Sequence, residues 1–135
     1  MSSADALAPL PETDVTTAIA ERAAALRYQD LSPDAVTVAG QCLLDWFAVT
    51  IAGAAEPLTR ILVEEAREEG GNAQASLIGA GRGTLAQAAL INGAASHALD
   101  YDDVHQAMKG HPTVPLAPAI LALGESLGAS GQDLI

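Results

Sequence analysis

The chain has 135 residues, half of them hydrophobic, which suits one domain with a buried core and excludes a largely disordered polypeptide. Seventeen acids against six bases give a formal net charge of −11. That balance argues against a nucleic-acid partner, whose phosphates need neutralising, and against an anionic membrane surface. The apolar content is Ala, Leu, Val and Ile, with Tyr28, Trp46, Phe47 and Tyr101 among the few aromatics. Such a composition favours closely packed helices over a sheet, so the expected class is all-α, with about five helices.

Residues 1–12 read as a flexible, Pro-punctuated lead, and the domain proper as 13–135. Thr13 or Asp14 caps a first helix whose apolar face carries Val15, Ala18, Ile19, Ala23 and Leu26. Ser32-Pro33-Asp34 is a strong helix start, combining an N-cap, a first-turn proline and an acid that complements the helix dipole. This second helix is expected over 33–52, stopped by Gly53. With Val36, Ala39, Leu43, Leu44, Trp46, Phe47 and Ile51 it reads as the central core helix. Pro57 opens a third helix through Leu58, Ile61, Leu62 and Ala66, with a solvated acidic end closed by Gly70-Gly71.

Residues 75–78 read as a short extended segment before the turn Gly79-Ala80-Gly81-Arg82-Gly83. Those glycines miss the GxGxxG spacing, because Thr84 stands where the last glycine belongs, so a Gly-rich turn is the reading. Thr84 and Gln87 have capping-box spacing and start a fourth helix through Leu90, Ile91, Ala94, Ala95, Ala98 and Leu99. A fifth is expected from Pro115 to Leu127, with Pro118 tolerated in its first turn. Ser130 and Asp133 resemble another capping box just before Ile135, and the expectation is the start of a helix that continues beyond the chain.

Cys42 is the sole cysteine, which excludes a disulfide framework and leaves a buried structural thiol as the simplest role. The N-terminus lacks a basic start and an apolar signal core. No apolar run reads as long enough to span a bilayer, since Asp45 and prolines interrupt the candidates. A cytoplasmic protein is expected.

The informative stretch is HALDYDDVHQAMKGHPTVP. It holds all three histidines (His97, His105 and His111), the carboxylates Asp100, Asp102 and Asp103, and the sole lysine, Lys109. Ionisable groups seldom gather for packing alone, because each burial costs desolvation unless a partner is found. Three readings fit the residues. The acids and imidazoles cap loops; they bind a metal, although no HExxH-type spacing is present; or they perform acid–base chemistry, with an imidazole moving a proton and a carboxylate orienting it.

The runs NGAASHALDYDD and GHPTVPLAPAILALGE resemble the signature of the MmgE/PrpD family, which includes 2-methylcitrate dehydratase and cis-aconitate decarboxylase. The resemblance extends upstream through LSPDAVTVAGQCLLDWFAVTIAG, in one colinear order from about residue 13. It implies an all-helical N-terminal domain, followed in the family by an α+β domain absent from this chain, and a homodimer. It also implies dehydration, decarboxylation or related proton transfer on small di- and tricarboxylates, with no cofactor and no obligatory metal. The family's site positions match Asp100 and His111 here, the expected catalytic pair. Asp103, His105, Lys109 and His97 are the expected substrate-binding or orienting residues. Val104 stands where the family often has Thr, and the family's further His, Lys and Tyr site residues fall beyond Ile135. A family isomerase or epimerase, or a non-catalytic helical module that binds another subunit, are the alternative functions.

Overall fold

A computed structural model describes residues 14–135, so the lead expected over 1–12 lies outside the described residues. These fall into two units, one ending at Leu31 and the other running from Ser32 to Ile135. The described residues hold six α-helices and one two-stranded hairpin, and the class is all-α.

The first unit is helix α1, Val15–Ala25, followed by a 3-10 turn over Tyr28–Asp30. Asp14 caps α1 by accepting from the Thr16 backbone N–H, and its other oxygen takes the Thr17 hydroxyl. The apolar face expected here forms, but none of its residues is buried.

In the second unit α2 spans Pro33–Gly53, with the Ser32 hydroxyl accepting from Ala35 N–H as the sequence foretold. Its length and composition are enough to cross a membrane, contrary to the expectation drawn from Asp45. A single mid-helix aspartate does not shorten the apolar run sufficiently. Its buried positions are Trp46, Val49, Thr50 and Gly53, whereas Leu44 and Ile51 stay 72% and 64% exposed. Helix α3 covers Pro57–Glu69 and ends at Gly70, whose φ of +69° supplies the left-handed stop. It buries Thr59, Val63 and Ala66, and leaves Leu58 and Ile61 in solvent.

Strands β1, Ala75–Leu77, and β2, Gly81–Gly83, pair antiparallel with Ser76 opposite Arg82. The second strand falls where the sequence predicts only a turn, since two glycines carry no strand propensity; backbone pairing and side-chain anchors form it instead. Asn92 holds the hairpin from below, accepting from Ile78 N–H and donating to Ser76 O, each at 2.9 Å. Glu125 holds it from the side, accepting from Ser76 N–H at 2.8 Å and pairing with Arg82.

Helix α4, Leu85–His97, has the expected Thr84–Gln87 capping box. It contacts α2, α3, α5 and both strands, so α4 rather than α2 is the centre of this unit. The reason is side-chain size. Ala88, Ile91, Asn92, Ala95 and Ser96 are all buried, and mostly small residues let neighbours approach on several sides. The closest approach is at Gly53, where a Cβ would lie 2.0 Å from the Ala95 carbonyl oxygen. Gly53, expected as a helix stop, is therefore the last residue of α2 and a contact point. Helix α5 runs Ala117–Leu127, starting two residues later than expected, and α6, Gly131–Leu134, opens with the Ser130–Asp133 capping box. Cys42 is only half-buried and lines an apolar cleft of ≈ 260 Å³ between α2 and α5.

Two predictions follow from these contacts. Ala in place of Gly normally stabilises a helix interior by roughly 1 kcal/mol. Gly53→Ala is expected to do the opposite, costing about 2–3 kcal/mol as the two backbones are forced apart. Urea unfolding of the pair checks the sign. Glu125 has its carboxyl held below the usual range, first by the Ser76 backbone N–H and then by the Ser76 hydroxyl and Arg82. Its stabilisation is therefore full above the unfolded-state value and lost as pH falls through the lower folded-state value. Glu125→Gln should cost about 0.5–1 kcal/mol at neutral pH, given its solvent exposure. That difference should vanish in acid, as measured by unfolding midpoints across pH.

Candidate functional site

The site grows from the C-terminal end of α4. His97 occupies the last turn, and the Asp100 backbone N–H closes back on His97 O at 3.0 Å. Asp100 then takes a φ of +49°, a left-handed conformation that Asp tolerates better than most residues, and the chain turns away from the helix axis. The turn leaves Asp100 exposed and carries Asp102 inward.

Two clamps shape the loop that follows. Asp103 accepts the Thr113 hydroxyl at 2.5 Å and the Thr113 backbone N–H at 3.3 Å, tying the outgoing limb to the returning one. Further out, His105 N–H donates to Gly110 O and Lys109 N–H to His105 O, each at 2.9 Å. Lys109 closes this smaller loop with a φ of +54°. The clamps bring His111 back beside the end of α4.

The result is a cluster of four side chains. His97 Nδ1 lies 2.8 Å from Asp102 Oδ1, and His111 Nδ1 lies 3.1 Å from Asp102 Oδ2. His111 Nε2 faces Asp100 Oδ1 at 3.6 Å. The two imidazoles stand edge to face with centroids 4.8 Å apart. Asp102 is the buried member, its side chain 2% exposed, while that of His111 is 26% exposed and that of Asp100 81%. The 3.1 Å approach is off-line, so neither Asp102 Oδ2 nor His111 Nδ1 completes a hydrogen bond.

The expected pair, Asp100 and His111, is thus brought together, and His97 joins it through Asp102. Asp103 spends both oxygens on Thr113. His105 and Lys109 are exposed on the outer loop, and His105 is not part of the four-residue cluster. Asp102 was absent from the expected site residues. Three acids in LDYDD look alike in sequence, and nothing in their spacing says which one the chain carries inward after the positive φ at Asp100.

Donor atoms of His97, Asp100, Asp102 and His111 lie within 4.8 Å of one another, a set that could hold a divalent cation. The other chemistry open to them is proton transfer at His111 Nε2.

A sequence profile of the MmgE/PrpD N-terminal domain matches residues 17–135, which takes in every element from α1 onward apart from its first two residues. The chain belongs to the MmgE/PrpD family. No individual curated protein matches it. Family membership thus accords with the helical fold and with the order of motifs that ends in the His–Asp loop.

Proposed function

We propose that this MmgE/PrpD domain carries the proton-transfer part of a lyase site that acts on a small di- or tricarboxylate. The supporting observation is His111 Nε2 standing 3.6 Å from Asp100 Oδ1, one group sheltered and the other open to solvent. That separation is too long for a hydrogen bond and leaves Nε2 uncommitted. His111 would remove a proton from a carbon next to a carboxylate, and Asp100 would orient the substrate or steady the imidazolium formed. In dehydration, hydroxide then leaves from the adjacent carbon and takes up the proton held by His111 to depart as water; in decarboxylation, carbon dioxide leaves first, its bonding pair stays on the substrate, and the imidazolium form of His111 supplies the proton to that carbon. A family isomerase or epimerase uses the same first step. The partner expected is a second copy of the chain, a reading supported by Leu44 and Ile51 exposed on α2.

In the whole protein, His111→Ala is expected to lower kcat by roughly 10²–10⁴-fold and Asp100→Asn to lower it less. The check is a panel of polycarboxylates including 2-methylcitrate and cis-aconitate. Unchanged turnover in His111→Ala overturns the reading.

A metal centre is the second reading, favoured by the unpartnered Asp102 Oδ2 and His111 Nδ1. The first reading predicts no stoichiometric metal by elemental analysis of purified protein and no change in melting temperature on chelation. One equivalent of zinc or manganese, with a fall in melting temperature when it is stripped, would transfer the site to the second.

A further inference from the structure

The buried carboxylate at the centre of the cluster has a consequence for the two imidazoles. An ionised oxygen facing a bare ring nitrogen sets two lone pairs against each other, at 2.8 Å for His97 and 3.1 Å for His111. Both approaches involve Nδ1, and both oxygens belong to one side chain that is 2% exposed. Water is therefore a poor substitute partner for that side chain, and an unpaired buried carboxylate is costly. A proton on Asp102 would relieve only one of the two contacts. A proton on each Nδ1 relieves both and leaves Asp102 ionised.

We infer that Asp102 is the positioning residue of this site, holding His97 and His111 both as Nδ1–H tautomers and so leaving the Nε2 of His111, on the side of the solvent-exposed Asp100, bare for substrate. This rests on the proton-transfer reading for its purpose, because a base must present a lone pair to substrate. His97 acts as the second anchor. Its 2.8 Å bond fixes the carboxylate plane, so Asp102 Oδ2 is already in place when His111 turns to close its own bond. The off-line 3.1 Å approach then closes by a small ring rotation. That rotation becomes more favourable once His111 carries the substrate proton, because the contact then joins opposite charges.

The tautomer is read directly by long-range ¹H–¹⁵N correlation on the ¹⁵N-labelled chain in metal-free buffer, at a pH where both rings are neutral. Unsubstituted protein should show a protonated Nδ1 and a bare Nε2 in both His97 and His111. A majority Nε2–H form in His111 overturns the inference, and no variant is needed to see it. In Asp102→Asn one side of the amide accepts and the other donates, so both rings cannot remain Nδ1–H. One should switch to the Nε2–H form while the amide spectrum stays dispersed. Retention of Nδ1–H in both rings of a folded variant would also overturn it. Failure of the parent reading looks different: His111→Ala keeps full turnover in the whole protein although the tautomers are as stated.

Discussion

Close packing around α4 is the constraint on which the second unit depends. A helix whose buried positions are mostly small residues, with Gly53 pressed against the Ala95 carbonyl, admits neighbours nearer than leucine would. Helices α2, α3 and α5 and the hairpin all meet it. Its C-terminal end is therefore held from several sides, and His97 stands on that end. A side chain on a well-held helix terminus keeps its geometry better than one on a free loop. The loop beyond it needs only two clamps to return His111 to the same place.

Those clamps explain how Asp102 can be buried. A carboxylate withdrawn from water is costly, and one hydrogen bond from His97 compensates only in part. The remaining cost is borne by the connections around it, chiefly the two bonds from Thr113 to Asp103. These lock the limbs together whatever Asp102 does. Asp103 thus shapes the site without facing it, and the left-handed backbone at Asp100 and Lys109 is strain held in place by the same connections.

Local signals were easily legible in the sequence. Ser32, Thr84 and Ser130 each cap the helix that their spacing foretold, because capping depends on residues three apart and little else. The hierarchy of packing was not. Trp46, Leu44 and Ile51 pointed to α2 as the core, yet two of the three are solvent-exposed, while the Ala-rich α4 has no distinct apolar face to betray its central place. Hydrophobic periodicity reports which residues are large, whereas helix approach depends on which are small. The site was half legible for a related reason. Asp100 and His111 could be named from the resemblance to the family, and His97 from its place one helical turn before Asp100, but inward Asp102 and loop-clamping Asp103 differ only in backbone direction, which no spacing rule encodes.

The charge of the cluster sets a limit on what it can do. Asp100, Asp102 and Asp103 bring three carboxyl groups into one loop, and the lysine of that loop, Lys109, lies out on its exposed arm. A polycarboxylate approaching these residues meets like charge, and the repulsion grows as water is excluded. On the proposed reading the loop is therefore suited to moving a proton and poorly suited to gripping the substrate's anionic ends. A protonated His111 relieves the mismatch at one point, which is where charge appears during the reaction. On the same reading, recognition of the remaining carboxylates falls to cationic groups outside this loop. That division fits a base whose position is fixed from behind by a buried acid, since its lone pair stays directed at the reacting carbon whatever holds the rest of the substrate.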